Sequence, residues 1–401
     1  MRILAINTVY EKGSTGRTLM QIAEKIEQNR DEYFACYGQG KVSNKNTLKI
    51  GTVLENHLHN LGSRLIGKQG YFTKKGTLKL VKFIEEYEPD IIHLHNLHGN
   101  YLNLEIFFSF LKIYNKPVVW TLHDCWAFTG KCAHYTNVAC FKWQTACHHC
   151  PQIRTYPPSM FLDQTEIMFE DKKKWFTTLS NLTLLPVSNW LAEEVKKSFF
   201  KDFPIIPIYN WVNHAVFKDI GEDVRLKYGI PLDKFIVLGV SAGWDDSTTR
   251  FKDFMALSKM LLPNMQLVMV GEISRGTIIP SSIIHIPYVH GEAELAKLYS
   301  NANVYVHLST EDTFGKVIAE AMSCGTPVIV YNSTACPEIV GDGCGYIVEK
   351  NNVNKIYEKI QIINENGKDK YSFACRNHVV KFFDMDNNIK KIIEIYKDII
   401  I

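Results

Sequence analysis

The sequence lacks an uninterrupted run of the roughly 20 apolar residues that a membrane-spanning helix needs, so no such helix is predicted. It also lacks internal short-period repeats and low-complexity segments, which excludes repeat and fibrous architectures. A strong charge imbalance is missing as well, because 45 Lys and Arg against 42 Asp and Glu give a net charge of +3. We expect no nucleic-acid partner.

The N-terminal stretch MRILAINTVYEKG has only a short apolar run, which is typical of a first strand and not of a signal peptide. We therefore expect a cytoplasmic protein. The first half carries a small excess of basic residues, which suits an anionic membrane surface or a phosphate-bearing acceptor. An ordinary solvated surface explains this excess equally well. Peripheral contact with the inner face of the membrane is a further expectation.

The chain has 401 residues, of which 46% are hydrophobic and 22% charged, and this is enough for two globular domains. Short apolar strands alternate with helical segments, which predicts parallel sheets in an α/β fold. Residues 204–208 are predicted to form the last strand of the first domain. We place the first domain at 1–213, the second at 214–380, and a C-terminal helix that crosses back to the first domain at 381–401.

The stretch from Val304 to Gly345 predicts a strand, a helix and a second strand. Residues 310–312 are expected to cap and open the helix. Gly315, Lys316 and Val317 would then offer free N–H groups to a diphosphate. Asp312 would bond a sugar hydroxyl and Glu320 a ribose diol. The alternative is an ordinary strand–helix–strand unit with a capping Asp and a surface Glu.

The string EAMSCGTPV, residues 320–328, resembles the donor-binding motif of the retaining glycosyltransferases of family four. That resemblance implies the GT-B fold, in which two Rossmann-like, doubly wound domains face each other across a cleft. The resemblance also assigns Phe314 and Gly315 to the donor site. When the sequence is aligned with the family on these two residues, Asp312 stands at the position of the family's first Glu. Glu311 is adjacent, so which acid meets the sugar stays open.

The resemblance also implies a basic clamp on the diphosphate. Lys252 matches the family's Lys, whereas Trp244 stands where the family has Arg, and Arg250 is the candidate substitute. Glu272, which ends a predicted strand, is assigned to the donor site. A glycine-rich turn between the first strand and helix occupies the position that faces the donor phosphates in the family: Gly13, Ser14, Thr15 and Gly16.

Two strand ends in the first half are rich in histidine. The segment HLHNLHG with PVVWTLHDCWAFTGKC resembles a bacterial branch of the family found in capsule, O-antigen and exopolysaccharide assembly. In that branch His123 would line the cleft near the reactive carbon of the sugar. A satisfied strand-end cap is the alternative for His123 and its neighbour. Acceptor contact is predicted for His95, Asn96, His98 and Asp124. For His93 and His95, we favour acceptor contact or packing over a zinc site, since on one strand face they lack a third ligand of obvious spacing.

Four cysteines fall within one segment of 19 residues: Cys132, Cys140, Cys147 and Cys150. Their density, the terminal CxxC and the expected reducing compartment predict one closed structural zinc site. His134 or His148 is the expected stand-in for one of the thiols. Free buried thiols are the alternative. No cofactor is expected for catalysis.

These features together predict a glycosyltransferase that moves a sugar from a nucleotide-diphosphate donor to a lipid-linked oligosaccharide acceptor of a bacterial cell-surface polysaccharide. The family implies retention of anomeric configuration. Two alternatives stay open. One is a nucleotide-sugar epimerase of the same build. The other is a non-catalytic carbohydrate-binding protein. The departures from the family pattern at Trp244, Asp312 and Trp211, which stands where relatives have Gly, would favour it. The residues assigned to catalysis are His123, Lys252, Asp312 and Glu320.

Overall fold

The computed structural model describes residues 1–42 and 44–400. The chain forms two compact units, one of Met1–Ile208 with Ile389–Ile401 and one of Tyr209–Asn388. The boundaries predicted from the sequence, after residues 213 and 380, differ from these by a few residues. Within the described part of the chain, no helix is both long and apolar enough to cross a membrane.

The first unit is built on a six-stranded parallel sheet in the order β3-β2-β1-β4-β5-β6. Its central strands are apolar and buried, as a parallel sheet covered on both faces requires. The elements are β1 Arg2–Asn7, α1 Gly13–Gln28, β2 Glu32–Tyr37, β3 Thr47–Lys49, α2 Val53–Ile66, α3 Lys74–Tyr87, β4 Ile91–Leu94, α4 Leu104–Tyr114, β5 Val118–Leu122, α5 Thr165–Phe176, β6 Leu182–Pro186 and α6 Asn189–Lys196.

The second unit repeats this plan with the order β12-β11-β10-β7-β8-β9, again all parallel. The elements are β7 Phe235–Trp244, α7 Thr249–Ser258, β8 Met265–Ile273, β9 Ile284–Ile286, α8 Glu292–Asn301, β10 Val304–His307, α9 Lys316–Ser323, β11 Val328–Tyr331, α10 Cys336–Ile339, β12 Gly345–Val348, α11 Val353–Asn366, α12 Asp369–Phe382 and α13 Met385–Ile400. The last twelve residues of α13 belong to the first unit, where Tyr396 Oη lies 2.5 Å from His93 Nδ1.

Both sheets reverse their strand order at one point, between β1 and β4 in the first unit and between β7 and β10 in the second. In doubly wound sheets a ligand binds beyond the carboxyl ends of the strands at such a point, because the two neighbouring connections leave a crevice there. These two strand ends are therefore where each unit is built to hold a ligand.

Three local predictions are wrong. Residues 204–208 form only an isolated bridge from Ile205 to Leu184, since prolines at 204 and 207 remove backbone donors from the chain. Residues 310–312 do not cap α9, which begins at Lys316 with Gly315 as its N-cap. Residues 13–16 do not form a turn, because they are the first helical residues of α1.

Candidate active site

At the end of β10, the Asp312 carboxylate is held by the strand's last residue. Asp312 Oδ2 makes a short hydrogen bond with His307 Nε2, and His307 Nδ1 lies 2.9 Å from the hydroxyl of Tyr305. The backbone N–H of Asp312 donates to Thr334 Oγ1 at 3.0 Å. His307 is 6% exposed at its side chain and Asp312 30%. The carboxylate is therefore oriented from the buried side and remains accessible.

Cys336 joins this cluster, with its sulfur 3.8 Å from Asp312 Oδ2. Among the described residues, only His307, Asp312 and Cys336 place three potential metal-ligand atoms within 4.8 Å of one another. These atoms already hydrogen bond to each other, and Asp312 acts electrostatically on the nearby Arg250 cation. We interpret the cluster as a polar network that positions Asp312.

Trp244 and Arg250 explain the departure from the family's basic clamp. Trp244 is buried at the end of β7, where its indole Nε1 donates to the carbonyl of Val270 at 3.0 Å. The Arg250 guanidinium lies 5.3 Å from the Trp244 ring centroid and donates to Gly243 O at 3.0 Å. Burial lowers the pKa of Arg250, while Asp312 acts in the opposite direction. The indole thus supports a cation that faces Asp312.

Two further predicted donor residues of this region are solvent-exposed. Lys252 lies on the first turns of α7 and Glu272 near the end of β8. The structure describes no hydrogen bond that fixes either side chain to Asp312 or Arg250. Their assignment to the donor site stays a prediction.

The start of α9 presents backbone N–H groups beside Asp312. Gly315 has φ of 83°, a conformation that favours glycine, and it turns the chain into the helix. Lys316 and Val317 follow at the surface. Phe314 is 2% exposed and packs 5.3 Å from Phe383 between ring centroids, so it offers a ligand only its backbone.

Glu320 lies one turn further along α9 and is 6% exposed. Burial raises the pKa of the Tyr299 hydroxyl well above its usual range, and the Glu320 carboxylate raises it further. The same carboxylate acts on Tyr305. Glu320 is therefore a buried acid surrounded by tyrosines, which differs from the surface Glu of an ordinary strand–helix–strand unit.

In the first unit, the structure brings the histidine-rich strand ends together. A small cavity of about 10 Å³ is lined by predicted catalytic and acceptor residues: His95, Asn96, His98, His123 and Asp124. Asp124 Oδ2 lies 2.8 Å from His98 Nε2, and His95 Nδ1 lies 3.0 Å from His123 Nε2. The five side chains form one polar cluster at the ends of β4 and β5.

Burial sets the protonation of this histidine cluster. It lowers the pKa of His123 to about 4, although Asp124 acts in the opposite direction. Burial also lowers the pKa of His95 well below its usual range, aided by His93 and His123. For Asp124 burial raises the pKa, but His98 and hydrogen bonds bring it down to about 2. Near neutral pH His95 and His123 are therefore neutral and Asp124 is ionised.

A larger pocket of about 440 Å³ lies beside this cluster, beyond the ends of β1, β2 and β4. Four amide side chains line it: Gln39, Asn56, Asn60 and Asn100. They are held in place by hydrogen bonds, for example from Asn100 Nδ2 to Asn60 Oδ1 at 3.2 Å and from Asn56 Nδ2 to Gly38 O at 2.8 Å. Amides that both donate and accept suit the hydroxyl groups of a sugar.

The predicted glycine-rich loop lies on the same side of the first sheet. Thr15 Oγ1 accepts from Asn7 Nδ2 at 3.3 Å, which connects the start of α1 to the end of β1. Gly16 approaches the backbone of Tyr10 so closely that a Cβ would lie 3.2 Å from it. Residues 13–16 therefore contribute the N-terminus of a helix.

The four clustered cysteines line one cavity of about 20 Å³. Cys132 and Cys150 have their sulfurs 4.0 Å apart, and Cys147 Sγ accepts from the backbone N–H of Gly130 at 3.2 Å. A tetrahedral zinc with Zn–S of ~2.3 Å separates its sulfurs by about 3.8 Å. Within the described chain no three of these sulfurs lie within 4.8 Å of one another. The donor set fits zinc, and closing the shell requires the sulfurs to move closer together.

Several site residues were missed by the sequence reasoning. Tyr156, whose hydroxyl lies 2.9 Å from His98 Nδ1, comes from a loop with no motif. His307 and Cys336 could have been noticed, because each stands within the quoted strand–helix–strand stretch at a strand end or helix start. The amide pocket could not have been noticed, since its residues come from five separate segments of the sequence.

Known protein families match both halves of the chain. A model described as Glycosyltransferase Family 4 matches residues 16–216, and one described as Glycosyl transferases group 1 matches residues 227–377. The putative colanic acid biosynthesis glycosyl transferase WcaC of Escherichia coli K12 is 27% identical over 282 residues, which are 67% of this chain and 66% of that protein. The match thus spans slightly less than two thirds of that relative's length.

Two solved structures are similar to this chain over nearly its whole length. Sucrose-phosphate synthase from Thermosynechococcus elongatus has a TM-score of 0.73 at 18% identity, over 99% of this chain and 98% of that one. HepE from Anabaena, solved in complex with UDP and glucose, has a TM-score of 0.67 at 15% identity, over 99% and 100% of the two chains. At these identities the likeness concerns the fold.

Proposed function

Because the chain belongs to glycosyltransferase family 4, we propose that it transfers a sugar from a nucleoside-diphosphate donor to a lipid-linked oligosaccharide during cell-surface polysaccharide assembly, with retention of configuration. The fold is the predicted α/β GT-B fold, with one doubly wound sheet in each unit. The proposal locates the reaction in the cytoplasm, at the inner face of the membrane. The named relative in colanic acid biosynthesis supports the polysaccharide assignment.

The observation that carries this proposal is the arrangement at the strand-order reversal of the second unit. A cation, two acids and a helix N-terminus converge beyond the ends of β7 and β10. Loss of a nucleoside diphosphate requires stabilisation of developing negative charge on the leaving phosphate. The Arg250 guanidinium and the N–H groups at the start of α9 supply it without a metal ion. Lys252 contributes a second, more exposed cation.

Asp312 and Glu320 would hold the two sugars of the donor. Asp312, oriented by His307, is the accessible acid and would accept hydrogen bonds from hydroxyls of the transferred sugar. Glu320, deeper in the unit, would accept from the ribose diol. Charge-assisted hydrogen bonds of this kind are stronger than neutral ones and fix orientation. The exposed Glu272 completes the proposed donor site at the end of β8.

In the first unit, we assign the acceptor to the amide pocket and the adjoining histidine cluster. Neutral His123 would donate or accept a single hydrogen bond near the reacting carbon, because its lowered pKa keeps it uncharged. The amides would bind the hydroxyls of the acceptor sugar. His95, Asn96, His98 and Asp124 would complete the acceptor contacts.

We further propose that the cysteine cluster holds one structural zinc. Four thiolates close a tetrahedral shell and leave no open position for catalysis. Lys131 Nζ donates to three carbonyls of residues 152, 153 and 155, so the segment after the cluster is already pinned. The metal would fix the part of the same loop that precedes residue 152, between Cys132 and Cys150.

The proposal is tested by incubating the purified protein with a panel of nucleoside-diphosphate sugars, with and without a synthetic lipid-linked oligosaccharide, and analysing the products by mass spectrometry. We expect one donor to be consumed only in the presence of acceptor, with an acceptor heavier by one sugar residue. At a donor concentration that does not saturate the enzyme, Glu320→Gln should slow this transfer about tenfold or more, whereas the exposed Glu358→Gln should not slow it. Conversion of the donor to an isomer without acceptor would identify an epimerase, and binding without turnover would identify a carbohydrate-binding protein.

A further inference from the structure

Helix α2 exposes a row of leucines to solvent. Leu54, Leu58, Leu61 and Leu65 are 67%, 58%, 53% and 40% exposed. Their spacing of four, three and four residues places them on one face of a helix with 3.6 residues per turn. Surface helices normally turn such a row toward the core. A row that faces outward therefore calls for an apolar partner outside the chain.

The opposite face of α2 is polar, and its contacts fix the helix in this orientation. His59 is fully buried, with Nδ1 2.7 Å from Thr73 Oγ1 and Nε2 accepting from the N–H of Gly70 at 3.1 Å. Ser63 Oγ donates to Asn100 Oδ1 at 3.0 Å. Turning the leucines inward would break these buried hydrogen bonds. The exposed leucines are therefore the native arrangement.

A neighbouring loop extends the apolar surface at the end of α2. The backbone N–H of Met160 donates to Arg64 O at 2.7 Å, which fixes the loop against the last turn of the helix. Met160 is 56% exposed, Phe161 72% and Leu162 46%. We call the leucine row with residues 160–162 the apolar strip.

The surroundings of the apolar strip are strongly basic. A groove of about 510 Å³ is lined by Leu54 and Leu58 together with four lysines: Lys49, Lys74, Lys75 and Lys79. Residues 41–84 contain nine Lys or Arg and one acidic residue, Glu55. The Glu55 carboxylate accepts from the N–H of Gly76 at 3.0 Å. The charge of this surface is therefore not neutralised by acids of its own segment.

We propose that the apolar strip and these lysines form a docking surface for an anionic lipid bilayer. The leucines enter the interface between headgroups and acyl chains, and the lysines pair with headgroup phosphates. A second copy of the chain is disfavoured as the partner, because a twofold contact would place two basic surfaces against each other. The observations that define this docking surface do not depend on the proposed function. Only the purpose assigned to docking rests on the proposed function.

The purpose of docking is indicated by a second face of α2. Asn56, His57 and Asn60 of the same helix line the amide pocket, on a face roughly 120° around the helix axis from the leucine row. A sugar bound in that pocket would lie close to the bilayer that holds its lipid. Docking would thus present the sugar end of a lipid-linked acceptor to the enzyme.

The test is co-sedimentation of the full chain with vesicles of phosphatidylcholine alone or mixed with an equal part of phosphatidylglycerol. We expect at least about tenfold tighter binding to the anionic vesicles. Leu58→Asn/Leu61→Asn should weaken binding about tenfold or more, and Lys74→Gln/Lys75→Gln/Lys79→Gln about a hundredfold. Leu226→Asn, which changes an equally exposed leucine of the second unit, should have no effect. Circular dichroism and thermal unfolding verify that each variant is folded.

A second measurement separates insertion from surface attraction. In Leu61→Trp, anionic vesicles should shift the tryptophan emission to the blue, and brominated lipids should quench it. If the protein binds the vesicles without a blue shift or quenching, and salt fully reverses this binding, the leucines do not insert into the bilayer. Equal binding to both vesicle types, or a dimer in sedimentation that Leu58→Asn/Leu61→Asn abolishes, would overturn the proposal. The vesicles contain neither donor nor acceptor, so sugar transfer to a water-soluble acceptor reports independently on the proposed function.

Discussion

At the scale of single residues, the proposed donor site departs from the family pattern at Trp244. Trp244 takes the place of a clamp arginine, but it is buried and supports Arg250 at 5.3 Å, which faces Asp312. The sequence could indicate the missing arginine and name Arg250, because both depend on position in a motif. It could not predict that His307 would hold Asp312, since that contact depends on where β10 ends.

Arg250→Ala is expected to lower kcat by about a hundredfold to a thousandfold, as for the loss of a preorganised donor to transition-state charge. Lys252→Ala should lower it less, because an exposed charge is screened by water and salt. Steady-state kinetics at saturating donor measures both, with Lys259→Ala at the C-cap of the same helix as the control. If Lys252→Ala proves the more damaging change, the two roles must be exchanged.

Glu320→Ala is expected to weaken nucleoside-diphosphate binding by roughly 1.5–3 kcal/mol, because a charge-assisted pair of hydrogen bonds to the ribose is lost. Titration calorimetry with the diphosphate of the donor's base measures this directly. The deoxyribose form of this diphosphate should bind the wild-type protein much more weakly than the ribose form does. The variant should bind the two forms with similar affinity. Unchanged affinity in the variant would refute the ribose assignment.

At the scale of elements, the main surprise is α2. Its buried residues are polar and its exposed ones are leucines, so hydrophobic periodicity alone would assign the wrong face to the core. The short apolar strands β10 and β11 were predicted, because all of their residues are apolar or buried and form continuous apolar runs. The helix start at Lys316 was missed because Gly315, not an acid, turns the chain.

The buried His59 on α2 makes the stability of the protein dependent on pH. Burial lowers its folded pKa from 6.5 to about 3, so between these values the unfolded chain binds a proton that the native chain excludes. Stability is fully present above the unfolded pKa and falls by about 1.4 kcal/mol per pH unit as pH decreases toward the folded one.

Urea unfolding at several pH values should therefore show a shallower acid slope for His59→Gln than for the wild type. His57→Gln, which changes an exposed histidine on the same helix, should keep the wild-type slope. Equal slopes for all three proteins would mean that His59 is already protonated or accessible in the native state.

The cysteine loop is expected to contain about one equivalent of zinc when the protein is purified without chelator. Removing the metal should make the loop around Cys140 sensitive to protease before the sheet unfolds, because the site binds only that loop. Elemental analysis with thiol titration decides the matter. Less than about half an equivalent of zinc, with all four thiols freely reactive, would contradict the site.

At the scale of the whole molecule, the two units share one strand order and place their chemistry at the same topological point. The alternation of strands and helices made the fold class predictable, and the motif at residues 304–345 indicated the donor half. The proposed acceptor half was less predictable, because the amide pocket combines α2 with the loops that follow β1, β2 and β4, and no single segment of the sequence indicates it.

The most direct test of the central claim is the structure of the product. The protein is incubated with the donor that the panel identifies and with a lipid-linked oligosaccharide, and the anomeric coupling constant of the new linkage is measured by NMR. The account predicts one added sugar with the anomeric configuration of the donor. An inverted linkage would contradict retention, and free sugar or an isomerised donor with no extended acceptor would contradict the transferase itself.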